Sequence, residues 1–180
     1  LHRYRDVRSI DSFVVKESLE GVPNPQVPTD FEGWDTMHIG SMWKGRDRYM
    51  WMHFDLEIPA EWKGKRVVGV FDFGRTGDGN NSGFESLLYL NGKPYQGVDV
   101  NHKEVFFDES LYGTTVSMTF RLWSGFEGGG APRDSMHRIK MAQLCWLDEA
   151  TDDFYYMSQG YFDTLKRHKA REKARAIALF

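Results

Sequence analysis

The chain has 180 residues, 41% hydrophobic, 15% aromatic and 27% charged, with one cysteine and a formal net charge of −3. This composition is too apolar for a disordered chain, and the length suits one domain with a sizeable core, or one domain plus an appendage. The charge is uneven: six Lys and Arg face two acids from Asp163 onward, and seventeen bases face twenty-four acids before it, a balance that argues against nucleic acid as a partner, because phosphate contacts need a basic patch.

The lone Cys145 cannot form an internal disulfide, which fits a reducing, cytoplasmic location. No run of 18 apolar residues occurs, and the opening Leu1-His2-Arg3-Tyr4 lacks the apolar centre of a signal peptide, so no membrane association is expected. The chain starts without Met and reads as part of a longer one.

In chain order, Ser9 to Ser18 reads as a first strand with Ile10, Phe13, Val14 and Val15 apolar. Glu20 to Gly33 is a loop punctuated by Pro23, Pro25 and Pro28. Trp34 to Trp43 reads as a second, less regular strand. Met50, Met52, Phe54, Leu56 and Ile58 then alternate with Tyr49, Trp51, His53, Asp55 and Glu57, the period of a half-buried strand, and place His53 on its polar face. Pro59 ends that strand. Lys65 to Phe73 is a Val- and Phe-rich strand, followed by a polar loop from Gly74 to Gly83.

Leu87 to Leu90 and the segment from Lys93 flank Asn91-Gly92, a pair suited to the positive φ angles of a two-residue hairpin turn. Pro94 puts the return strand at an edge or near its start, because it cannot donate a ladder hydrogen bond. Gly97 to His102 forms a polar loop before the apolar Val105-Phe106-Phe107. Val116, Met118, Phe120 and Leu122 alternate with polar residues as another half-buried strand. A Gly-rich loop spans Ser124 to Pro132, and His137 to Leu147 reads as a last strand, apolar on both faces. Seven to nine strands with frequent turns predict an all-β, jelly-roll-like (galactose-binding-like) β-sandwich over residues 1–147.

The pattern changes at Asp148, which can cap a helix. Ala150, Phe154, Met157, Tyr161 and Leu165 fall at helical spacing, acids cluster at the start, and Lys166, Arg167 and Lys169 lie further on. A C-terminal helix from Glu149 to about Lys173 is expected, with residues 148–180 as a helical linker toward a further domain.

Candidate chemistry is sparse. Asp78-Gly79-Asn80-Asn81-Ser82-Gly83 starts like a calcium loop, but Tyr89 stands at the twelfth position, where a bidentate Glu belongs. The six histidines show no zinc spacing. Glu85, Asp99, Glu104 and Glu127 lie in or beside loops, where two could flank a glycosidic bond, but nothing in their spacing requires it. The glycines from Gly125 to Gly130 lack the Lys-Ser/Thr of a phosphate loop. No catalytic or metal-binding residue is therefore assigned within the chain.

Several strings carry a resemblance. YRDVRSIDSF, IPAEWKGKRVVGVFDFG, GFESLLYLNGKPYQGVDVNHKEVFF, LWSGFEGGGAP and HRIKMAQLCWLDEATDDFYY occur in that order over most of the chain. Together they resemble the N-terminal β-sandwich domain of glycoside hydrolase family 38 α-mannosidases of the cytosolic and bacterial type. The resemblance implies a non-catalytic domain that docks on and shapes the catalytic domain of the same polypeptide. The parent would hydrolyse terminal non-reducing α-D-mannose residues of mannosides or oligosaccharides by a retaining mechanism. Its zinc or other divalent metal and its catalytic residues lie outside this chain, and it would assemble as a homo-oligomer.

By analogy with jelly-roll domains of other glycosidases, Asp99, Asn101, His102 and Glu127 are candidates to face the catalytic domain or its sugar. The plainer role is that they fix their own loops. The rival reading of the whole chain is a free-standing carbohydrate-binding module using rings such as Trp43, Trp51 or Trp123.

Overall fold

The structure, a computed structural model, describes residues 2–18, 23–74, 84–125 and 134–177. Among the described residues there are twelve strands and one α-helix. The strands are β1 (Tyr4–Ser9), β2 (Ser12–Ser18), β3 (Asp35–His38), β4 (Met42–Gly45), β5 (Tyr49–Glu57), β6 (Arg66–Asp72), β7 (Glu85–Leu90), β8 (Lys93–Asp99), β9 (Glu104–Phe106), β10 (Thr115–Trp123), β11 (Ser135–Arg138) and β12 (Met141–Leu147). The helix α1 spans Glu149–Ile177.

The strands form a six-stranded sheet ordered β3-β2-β5-β10-β7-β8, a four-stranded sheet ordered β1-β12-β6-β9, and a ribbon of β11 and β4. The predicted all-β sandwich followed by a C-terminal helix is present, with more strands than the sequence suggested. The stretches 9–18, 34–43 and 137–147, each expected as one strand, are broken or reshaped. Strand β1 precedes the first, a turn at Ile39-Gly40 divides β3 from β4, and Ile139-Lys140 divide β11 from β12.

The sandwich core lies between the two larger sheets. From β10, Val116, Met118, Phe120 and Leu122 point inward and are fully buried. Their opposite numbers on β5 are Leu56, Phe54, Met52 and Met50. Phe120 meets Phe71 from β6 with ring centroids 5.2 Å apart and Phe73 at 4.9 Å, both edge to face. Phe13 from β2 adds an edge contact to Phe54 at 5.4 Å. Edge-to-face contacts of this kind are among the arrangements that ring quadrupoles favour. Gly74 follows β6 at φ +131°, and a Cβ there would come within 2.7 Å of the Arg138 backbone nitrogen. That close approach admits only glycine without a shift of backbone.

The β7–β8 hairpin turns as expected, with Asn91 at φ 50° and Gly92 at φ 75°. β8 is an edge strand, where Pro94 leaves no central ladder bond unmade.

The chain divides into two compact units, residues 6–146 and residues 1–5 with 147–180. In the second unit, Asp148 caps α1: its Oδ1 accepts from the Thr151 N–H at 3.1 Å. Arg5 donates to Asp148 Oδ2 at 2.8 Å, and with the Thr151 bond it holds that carboxyl below the usual range. Arg3 pairs with Asp152 and lies over the Tyr156 ring, 4.8 Å from its centroid. Along the helix, Phe154, Tyr156, Met157, Tyr161 and Phe162 are exposed. Among the described residues no helix is long and apolar enough to cross a membrane.

Candidate functional site

The polar loop after β8 brings three of the four candidate residues together. Asp99 ends the strand, and its Oδ1 accepts from the Asn101 N–H at 2.7 Å and the His102 N–H at 2.8 Å. The His102 ring places Nδ1 2.9 Å from Asp99 Oδ2. The Asp99 N–H donates to the His102 carbonyl at 3.3 Å. Partial burial alone would raise the Asp99 pKa, but the His102 ring and the two N–H groups outweigh it and hold the carboxyl below its usual range. The His102 side chain remains 73% exposed. Asp99 therefore organises its own turn in the manner of an Asx motif, while Asn101 and His102 lie exposed beside it. Glu127, the calcium-like loop 78–83 and glycines 128–130 lie outside the described residues.

A glycosidase needs two carboxylates, one of them kept protonated as general acid. The strand register sets Glu85 directly opposite Asp99, an adjacency the spacing alone left open. Asp99, however, is held toward its ionised form, the reverse of what a general acid requires. Glu104 sits on β9, in the other sheet. Among the described residues no cluster of His, Cys, Asp and Glu could hold a metal. Cys145 is fully buried, and burial pushes its thiol up to about 12, so it is no nucleophile.

The same register reveals a second feature. Residues opposed across antiparallel strands share a face. Ser18, Tyr49, Trp123, Glu85 and Asp99 form one such row across the outer face of the six-stranded sheet. The next row holds Lys16, Trp51, Arg121, Leu87 and Gly97. The Arg121 guanidinium lies over the Tyr49 ring, 4.4 Å from its centroid. The Trp123 indole N–H donates to Asp47 Oδ1 at 2.9 Å. Tyr49, Glu85, Leu87, Arg121 and Trp123 line a cavity of 350 Å³ together with Asn24, Pro25, Ser86 and Tyr89. A 430 Å³ cavity nearer β3 and β4 is lined by charges of both signs, with Arg48 bonded to Glu17 at 2.8 Å.

Two expected ring platforms are corrected by burial. Trp43 is 6% exposed with its N–H on the Phe73 carbonyl at 2.8 Å, and Trp51 is also 6% exposed. His53, placed on the polar face of β5, is buried there under the parallel ring of Phe31, centroids 3.5 Å apart, and bonds Thr119 Oγ1 at 3.0 Å.

The sequence model of a family described as alpha-mannosidase, jelly roll domain, matches residues 8–121. The chain belongs to that family. This jelly roll domain also resembles domains of solved glycosidases in fold. It superposes on a Faecalibacterium prausnitzii beta-glucuronidase with a TM-score of 0.58 at 12% identity, covering 82% of this chain and 32% of that one. A Bacteroides uniformis beta-glucuronidase gives 0.54 at 16% identity, over 78% and 18% of the two chains. A Ruminococcus gnavus beta-glucuronidase in complex with D-glucuronic acid gives 0.53 at 14% identity, over 82% and 30%. The jelly roll domain thus spans about a third or less of the length of these enzymes. A sequence comparison with curated proteins finds no match.

Proposed function

We propose that this jelly roll domain is the non-catalytic accessory part of a larger α-mannosidase. In this reading residues 1–147 are the sandwich domain, and residues 148–180 lead toward a catalytic domain in the same polypeptide. The observation that carries it is the exposed apolar surface of α1: Phe154, Met157, Tyr161 and Phe162 are 56%, 68%, 65% and 57% exposed. Large apolar groups displayed together favour burial against another protein surface. The chemistry within the chain supports the same division of labour. Asp99, which the strand register sets opposite Glu85, is held ionised by its own loop, the reverse of what a general acid requires.

The parent enzyme would remove terminal non-reducing α-D-mannose with retention, in the cytoplasm, using zinc or another divalent metal in its catalytic domain. The accessory domain would dock on that domain, contribute to the rim of the pocket through the loop of Asp99, Asn101 and His102 and the segment of Glu127, and aid homo-oligomer assembly.

Assays on an aryl α-mannoside test this. The 180-residue chain alone is expected to give no turnover, and the parent is expected to give turnover that a chelator abolishes. Turnover by the chain alone would overturn the reading.

A further inference from the structure

The geometry points to a saccharide-binding site on the outer face of the six-stranded sheet, in the cavity bounded by Tyr49, Glu85, Leu87, Arg121 and Trp123. The site is distinct from the loop of Asp99 and His102 and does not depend on the docking role proposed above.

Three features of the cavity converge. The first is shape: 350 Å³ is at the lower end of small-molecule pockets and suits one or two sugar rings. The second is the aromatic step in its floor. The Tyr49 and Trp123 rings lie 6.5 Å apart at an interplanar angle of 27°. The bond from Trp123 to Asp47 and the guanidinium of Arg121 over Tyr49 fix both rings in place. A floor already ordered before binding costs little entropy when a ligand arrives.

The third observation is the chemistry of the rim. Glu85 brings acceptors, while Asn24 and Arg121 bring donors, all lining the same cavity as the rings. Vicinal hydroxyls of a pyranose both donate and accept, and its C–H face packs on aromatic carbon. The opposed charges of Glu85 and Arg121 disfavour a strongly anionic or cationic ligand. A wholly apolar occupant would cover the Glu85 carboxylate and the Asn24 amide without offering either a hydrogen bond, which is costly. A neutral sugar answers the floor and the rim together. Its binding would serve the jelly roll domain whether it holds substrate near a catalytic domain or acts alone.

Titration of the 180-residue chain with mannobiose, followed by tryptophan fluorescence and by amide NMR shifts, tests the assignment. Saturable binding in the millimolar range is expected, with shifts centred on Tyr49, Leu87 and Trp123. Tyr49→Ala and Glu85→Ala should each weaken it about tenfold. Glu85 is exposed, so Glu85→Ala should keep the native melting temperature and serves as the control for folding. No saturable change up to about 50 mM sugar would overturn the proposal, as would binding that survives both substitutions. Glucuronate binding more tightly than mannobiose would also overturn it, by marking an anion site. Failure of this titration leaves the aryl α-mannoside assay untouched, so the two readings fall separately.

Discussion

The two faces of the six-stranded sheet are both rich in aromatic rings, but they differ in kind. The inner face is built around Phe13, Phe54 and Phe120, which carry no polar atom; Phe13 and Phe120 meet Phe73 edge to face, Phe120 meets Phe71 the same way, and Phe54 meets Phe71 at a tilt. The outer face adds the half-buried Tyr49 and Trp123, rings with a polar handle, and sets Arg121 and Glu85 beside them. Apolar rings without handles can be sealed away from water at no hydrogen-bonding cost. Rings with handles are placed where one end stays wet. The aromatic richness of the sequence therefore has two settings, a sealed core on one side and, in the site proposed above, recognition on the other.

The contrast is sharpest in stability. Phe120→Ala should cost about 3–5 kcal/mol, because the fully buried ring leaves a cavity that stiff neighbours cannot fill. Tyr49→Ala, at the half-buried outer position, should cost about 1 kcal/mol. Urea unfolding of the two variants measures both, and equal losses would break the distinction between the faces.

Next in size is Asp99, at the end of the outer row. Asp99→Ala removes the acceptor of two backbone N–H groups and should cost about 1–2 kcal/mol. His102→Ala, mostly exposed, should change stability by less than about 0.5 kcal/mol. In the parent enzyme, unchanged turnover and unchanged assembly in both variants would restrict this loop to holding its own shape.

Acid should act through the outer face as well. Burial depresses the pKa of His53 below its usual 6.5, partly offset by Asp55. The unfolded chain then binds a proton that the folded chain refuses, so stability is full above pH 6.5 and declines as pH falls from there toward the folded pKa. Melting temperatures taken across that window should fall with acid, and His53→Gln should flatten that slope. A slope unchanged by the substitution would place the sensitivity elsewhere, with buried His137, whose pKa is also depressed, the next to test.

The smallest expected effect is the absence of one. Cys145, fully buried and with its thiol pushed up to about 12, should resist a thiol reagent at neutral pH until the chain unfolds.

What the sequence revealed and what it hid have physical causes. β5 and β10 were legible because their inward residues alternate strictly, and the β7–β8 turn because Asn91-Gly92 matches its positive φ angles. β1 was missed because Tyr4–Ser9 is largely exposed and carries no alternating apolar face. The break between β11 and β12 was missed because Ile139-Lys140 lacks any turn residue, and Ile139 is itself buried. The loop of Asp99 was visible as a polar cluster, but its inward-turned hydrogen bonds were not. The outer-face site depends on the registers of β5 with β10 and of β10 with β7, pairings between distant segments that local patterns do not carry. Its only local trace was aromatic residues, Tyr49 and Trp51, at the polar positions of an alternating strand.

The most direct test of the central claim, that this is an accessory domain of a larger α-mannosidase, is the mass of the native protein detected in its source with an antibody to the sandwich. A species much larger than the 20.9 kDa of this chain, carrying chelator-sensitive α-mannosidase activity, is the predicted result. A native species at 20.9 kDa without that activity would contradict the account.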